Sequence, residues 1–224
     1  WRFASDMKPT DEQAGAWTEA FESGKFVRKT SEFRDHIVND GPFDVESGRY
    51  HLYVSHACPW AHRTLITRTL LGLEDDISVD VVDWRMNSDG SWSFNDEEEG
   101  ATADTINGES SLEGIYNRAF QGWNESQRIG TVPVLWDRKH STIVNNESRE
   151  IVRMFDSFAQ AGMGNGTSLS PVELREAIDA MIDANYEPVN NGVYKSGFAR
   201  TQSAYDEAVT ALFARLDELE IHLE

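Results

Sequence analysis

The chain has 224 residues, with 39 acidic side chains against 20 basic ones and a net charge of -19. That length makes one large domain or two modest ones, and that charge excludes nucleic acid and anionic membrane as partners. No apolar run approaches the roughly 20 residues of a bilayer span, no charged-then-apolar export leader is visible, and the single cysteine, Cys58, excludes an internal disulfide. These features predict a cytoplasmic protein. Only five of the basic residues are lysines, and the carboxylates are spread along the whole chain. Such a surface is suited to molar salt, where the Debye length shrinks to about 3 Å, and predicts a salt-adapted source.

Residues 1–48 mix Gly, Pro, charge and scattered aromatics, and read as an arm that wraps a domain. Residues 49–160 follow as the first domain. Tyr50 to Val54 is a strand. Cys58-Pro59-Trp60-Ala61-His62-Arg63 opens a helix that runs through Leu65, Ile66 and Leu70 and stops at Gly72, and Ile77 to Val82 is a second, parallel strand. The acidic stretch Asp96 to Gly100 reads as a solvated loop. Ser110 and Glu113 have the spacing of a capping box before Leu112, Ile115, Tyr116 and Phe120. Thr131 to Trp136 and Thr142 to Val144 form a hairpin, and a helix from about Asn146 carries Ile151, Val152 and Phe155. This β-α-β-α-β-β-α order is that of a thioredoxin-like α/β domain. Gly162 to Ser168 reads as a linker. In residues 169–224, Ser170-Pro171-Val172-Glu173 has the pattern of an N-cap with proline at the first helical position, followed by Leu174, Ile178, Met181 and Ile182 at helical spacing. A last helix carries Tyr205, Val209, Leu212, Leu216 and Leu219.

The chemistry concentrates at Cys58, a lone cysteine between a strand and a helix and followed at once by proline. Unpaired amides and the dipole at a helix N-terminus favour the thiolate, so its pKa is expected to be depressed. Ala61 stands where a dithiol oxidoreductase carries its second cysteine. A mixed disulfide on Cys58 must therefore be released by a small thiol from solution. Pro133 lacks the donor of an ordinary central strand residue and reads as a cis proline at the strand start. In thioredoxin-like domains that arrangement places the preceding residue, Val132, beside the cysteine. Glu147 and Ser148 at a helix start suit an ammonium and a carboxylate, respectively, and simple helix capping is an equal reading of the same pair. His56, Cys58 and His62 lack a fourth ligand at a usable spacing, so no metal is expected.

Four separated blocks resemble the glutathionyl-hydroquinone reductases, the Xi class of glutathione transferases: Tyr50 to Thr64, Thr131 to Asp137, Asn145 to Ser148, and Asn190 to Ala199. The resemblance implies a thioredoxin-like N-terminal domain followed by an all-α glutathione-transferase-type C-terminal domain, here cut short relative to the family, and a homodimer. It also implies reduction of a glutathionyl-hydroquinone by a second glutathione, with Cys58 attacking the thioether sulfur. By position, Trp92 and Arg128 flank the glutathione, Val132 and Pro133 line its backbone, Glu147 and Ser148 hold its γ-glutamyl end, and Tyr194 contacts the hydroquinone and helps protonate its carbon. In a salt-adapted archaeon γ-glutamylcysteine can replace glutathione. A monothiol disulfide or dehydroascorbate reductase using the same Cys58, and a non-catalytic transferase-like interaction module, are the alternative readings.

Overall fold

The computed structural model describes residues 21–28, 30–88, 90–123 and 130–224. In chain order its elements are strands β1 (Phe21–Glu22), β2 (Lys25–Phe26) and β3 (Tyr50–Val54), helix α1 (Pro59–Leu70), strand β4 (Ile77–Val81), helix α2 (Leu112–Ala119), strands β5 (Val134–Asp137) and β6 (Thr142–Asn145), and helix α3 (Ser148–Gln160). Helices α4 (Arg175–Asn185), α5 (Gly192–Gly197) and α6 (Gln202–Leu223) complete the chain. Two compact units result: Ser31–Leu169, and the described residues up to Thr30 together with Ser170–Glu224.

In the first unit four strands are ordered β4-β3-β5-β6, with β3 parallel to β4 and the other pairs antiparallel. All five side chains of β3 are buried, which requires cover on both faces of the sheet. Alternation along the strand divides them. Tyr50 meets Phe158 of α3 edge-on at 5.9 Å. Tyr53, on the opposite face, packs on Phe94 and donates its hydroxyl proton to Asp104 at 2.9 Å. Asp104 also accepts the backbone N–H groups of Ile106, Asn107 and Glu109, so one carboxylate organises the turn that covers this face.

Helix α1 ends as its sequence implies. Gly72 has φ +69°, its N–H reaches Thr69 O at 3.0 Å and the Leu73 N–H reaches Arg68 O at 2.9 Å, the paired bonds of a Schellman stop. Three local expectations shift. Ser111 rather than Ser110 caps α2, accepting the Gly114 N–H, because the Ser110 carbonyl is engaged by Phe94 N–H. Pro171 is extended at ψ 141°, so the capping pattern at Ser170 does not form and a single 3-10 turn, Val172–Leu174, precedes α4. The stretch from Gly162 to Ser168 is bound to the first unit instead of running free: the Asn165 side-chain amide and N–H donate to Leu70 O and Leu71 O, both at 2.9 Å, satisfying carbonyls at the end of α1.

In the second unit β1 and β2 form a hairpin within the segment read as an arm. Phe26 is buried there against Tyr194 and Phe198, with ring centroids 6.2 and 5.4 Å away. Gly192 opens α5 close to Leu212 of α6, and Arg215 of α6 donates to the Asn185 side-chain oxygen at 2.7 Å. Among the described residues no helix is long and apolar enough to cross a membrane.

Candidate active site

Cys58 is the N-cap of α1, with extended φ/ψ of -100° and 113°. Pro59 takes the first helical position, where its missing N–H costs nothing. The Cys58 carbonyl accepts the His62 N–H at 2.9 Å, and the Cys58 N–H is held by Ser55 O at 3.1 Å. No acidic side chain occupies the first turn, so nothing there opposes the positive end of the helix. Cys58 is partly exposed and is the one cysteine of the chain.

Its sulfur lies 3.6 Å from the Val132 carbonyl oxygen, and the Val132-Pro133 peptide is cis. A buried phenol fixes this loop. Tyr116 donates to Thr131 O at 2.8 Å and accepts from the Asn146 side-chain amide at 3.0 Å. Burial pushes the Tyr116 hydroxyl pKa above its ordinary value, against the pull of bonds from Thr131 and Asn146, so it stays protonated and able to donate. Asn146 also exchanges hydrogen bonds with the backbone of Phe33. One hub thus ties the Val132 loop to the start of α3.

At that start Glu147 is the N-cap, accepting the Arg149 N–H at 3.2 Å, and Ser148 is the first residue of α3. Both are engaged from α1 by Arg63, five residues beyond Cys58. Arg63 donates through Nε and Nη2 to Ser148 Oγ at 2.9 and 2.7 Å, and its Nη2 lies 3.5 Å from Glu147 Oε1. The guanidinium also stacks 4.9 Å from the Trp60 ring centroid. Ser31 donates to the other Glu147 oxygen at 3.1 Å.

The structure therefore brings together Cys58, Val132 and Pro133, and links Glu147 and Ser148 to the cysteine's own helix. Trp92 lies at the foot of α2, where its carbonyl accepts the Leu112 N–H at 2.9 Å and its side chain packs partly buried on the core. No hydrogen bond joins it to Cys58, Val132, Glu147 or Ser148 among the described residues. Tyr194 belongs to the second unit, on α5, with the Arg28 guanidinium 4.4 Å over its ring. Arg128 lies outside the described residues. Among the described residues no group of three or more His, Cys, Asp or Glu side chains is arranged to hold a metal ion. Arg63, Ser31 and Tyr116 carry contacts that the sequence reading did not assign. A cation in the second turn after a helix-capping cysteine was the available signal for Arg63; nothing comparable marks Ser31.

The profile of the glutathione S-transferase N-terminal domain matches residues 57–157. The chain is 48% identical over 205 residues to glutathionyl-hydroquinone reductase YqjG of Escherichia coli, covering 88% of this chain and 61% of that protein. Its fold matches the glutathione-S-transferase Xi of Phanerochaete chrysosporium with a TM-score of 0.83 at 49% identity, over 89% of this chain and 64% of that one. Residues 57–157 thus belong to the glutathione transferase family. Within it, the resemblance to the Xi class and to glutathionyl-hydroquinone reductases read from the four blocks holds, and so does the architecture of a thioredoxin-like domain with a mixed sheet followed by a helical part. The glutathione-bound structure of YqjG also matches this chain, with a TM-score of 0.76 at 46% identity, covering 84% of this chain and 63% of that one. The chain thus spans a little over three-fifths of the length of these relatives.

Proposed function

We propose that this protein reduces glutathionyl-hydroquinones to free hydroquinones at the expense of a second glutathione. The observation that carries the reading is the placement of Cys58: a lone, partly exposed cysteine capping a helix with no acidic first turn, its sulfur 3.6 Å from the Val132 carbonyl. The helix N-terminus favours the thiolate. The thiolate attacks the glutathionyl sulfur of the aryl thioether. The carbon–sulfur bond breaks with its electron pair on the ring carbon, which takes a proton, and a Cys58–glutathione disulfide remains. Glutathione thiolate then attacks the glutathionyl sulfur of that disulfide, releasing Cys58 as thiolate and glutathione disulfide as product. With no second cysteine in the chain, this last step needs the external thiol.

Val132 and Pro133 bound the bound tripeptide beside Cys58, Glu147 takes its ammonium and Ser148 its γ-glutamyl carboxylate. Trp92, Arg128 and Tyr194 enter by family position: the first two flank the thiol, and Tyr194 delivers the proton to carbon. Glutathione is the co-substrate supported by the relatives, and γ-glutamylcysteine fits the same Glu147–Ser148 end. The reading extends to a cytoplasmic homodimer, by the resemblance, and to a salt-adapted cell, which the net charge of -19 and the scarcity of lysine support. The test compares turnover of a glutathionyl-hydroquinone with that of a glutathione mixed disulfide. A clear preference for the thioether supports the proposal; the reverse ratio assigns a general monothiol reductase instead.

A further inference from the structure

We infer that Arg63 is a positioning residue that fixes the Ser148 hydroxyl as a hydrogen-bond donor and so makes this end of the site selective for an α-amino acid carboxylate; the inference rests on the proposed thiol-binding role of Glu147 and Ser148. A serine hydroxyl has two acceptor lone pairs and one proton. Arg63 directs two N–H groups onto Ser148 Oγ, at 2.9 and 2.7 Å, which occupies its acceptor capacity. The hydroxyl proton is left to be donated. Ser148 is buried and begins α3, so a group that accepts from it also faces the helix's first amides and the charge of Arg63.

Glu147 completes the selection. Its two oxygens accept from Arg149 N–H and Ser31 Oγ and it lies 3.5 Å from Arg63, so the carboxylate is held in one orientation beside the Ser148 donor. A negative acceptor next to a donor backed by a cation matches a zwitterion, with an ammonium on Glu147 and a carboxylate on Ser148. The Trp60 ring lies against the guanidinium, 4.9 Å from centroid to Cζ, and a lysine at this position would lack the planar fork that directs two N–H groups onto one oxygen. Arg63 is borne by the helix that Cys58 caps, so the anchor for the thiol's far end and the reacting sulfur move as one body. The recognition is independent of the terminal glycine, so γ-glutamylcysteine and glutathione share it.

The test is titration calorimetry on the full chain with glutathione, γ-glutamylcysteine and a glutathione analogue lacking the α-carboxylate. For the native sequence, both natural thiols bind with similar affinity and the decarboxylated analogue binds at least about tenfold more weakly, the scale of one charge-assisted hydrogen bond. Arg63→Met weakens glutathione binding by about tenfold and abolishes the discrimination, Ser148→Ala does the same, and the double variant is no weaker than either single one. Arg63→Lys restores less than half of the lost affinity. In steady-state assays the loss falls on KM for glutathione rather than on kcat. Unaltered urea midpoints show that the variants fold, and if Arg63→Met does not fold, the Arg63→Lys and Ser148→Ala measurements decide. Retained discrimination in Arg63→Met, additive losses in the double variant, or no glutathione binding by the native chain overturns the inference. If the native chain binds glutathione with this selectivity yet does not turn over the thioether, the catalytic reading fails and the positioning role stands.

Discussion

Replacing Asp137 by alanine tests how the sheet that carries the site is held together. Asp137, at the end of β5, is fully buried and accepts from Arg49 Nε and Nη2 at 2.8 and 2.9 Å, from the Lys139 N–H at 3.1 Å and from His140 Nδ1 at 2.6 Å. The Arg49 side chain is 3% exposed. Without Asp137 its remaining polar neighbours are the Pro42 carbonyl at 2.8 Å, His140 Nδ1 at 3.2 Å and the half-exposed Glu46 at 3.5 Å, the last being its one remaining anionic neighbour among these. Removing one partner of such a pair leaves a buried charge uncompensated, at a cost of about 3–5 kcal/mol. Against a total stability of roughly 5–15 kcal/mol this is a large fraction. With m of about 3 kcal/mol/M in urea, the midpoint of the sheet unit falls by about 1 M or more at unchanged m. A fall under about 0.3 M, or under about 1 kcal/mol, refutes the reasoning.

Acid should expose the same interactions. Burial alone would raise the pKa values of Asp80 and Asp137, but bonds to Asp80 from His51 and Thr105, and to Asp137 from Arg49 and Lys139, bring both below their ordinary 3.8; Arg34 and Asn145 bring Glu150 below 4.5 in the same way. Groups lowered in the fold contribute stability that is complete above their unfolded values and is lost as pH falls through the folded ones; urea midpoints therefore decline below about pH 4, less steeply in Asp137→Ala, and equal slopes would contradict the pairing. Gly164→Ala should destabilise by well over 1 kcal/mol, roughly, because φ is +62° and its Cβ would stand 2.1 Å from Leu71 O. Gly162→Ala, also at positive φ but with open space, should cost only about 1 kcal/mol. Equal losses in the two melting curves would deny the close approach to α1. Phe155→Ala empties a fully buried position and should cost about 3–5 kcal/mol by urea titration; a cost under about 1 kcal/mol would place that side chain outside the core. For the acidic surface, the melting temperature should climb steadily as potassium chloride is raised toward molar concentration; a flat profile would remove the salt adaptation and leave the chemistry untouched.

Much of this fold was legible because its signals are local. The aromatic and apolar run in Tyr50–Val54, the proline after Cys58 and the Gly72 stop each act within a few residues, so strand, helix and cap fall close to where the sequence puts them. The misplaced features depend on partners far along the chain. Ser110 has the capping pattern, but its carbonyl is engaged by Phe94 and Ser111 takes the cap. The run from Gly162 to Ser168 has a linker's composition, yet Asn165 finds the unsatisfied carbonyls at the end of α1, nearly a hundred positions earlier. The arm hides a two-stranded hairpin too short to show periodicity. At the site the same rule holds. Cys58 and the Glu147–Ser148 pair announce themselves by residue type at helix starts, whereas Tyr116, Ser31 and Arg63 act through bonds across 15 to 116 positions that no spacing encodes.

The most direct measurement is a single turnover with a limiting glutathionyl-hydroquinone and no free glutathione, followed by intact-mass analysis. The account predicts one glutathionyl group added at Cys58 for each hydroquinone released, and loss of that adduct when glutathione is supplied. Release of hydroquinone without an adduct, or undiminished turnover by Cys58→Ala, would contradict it.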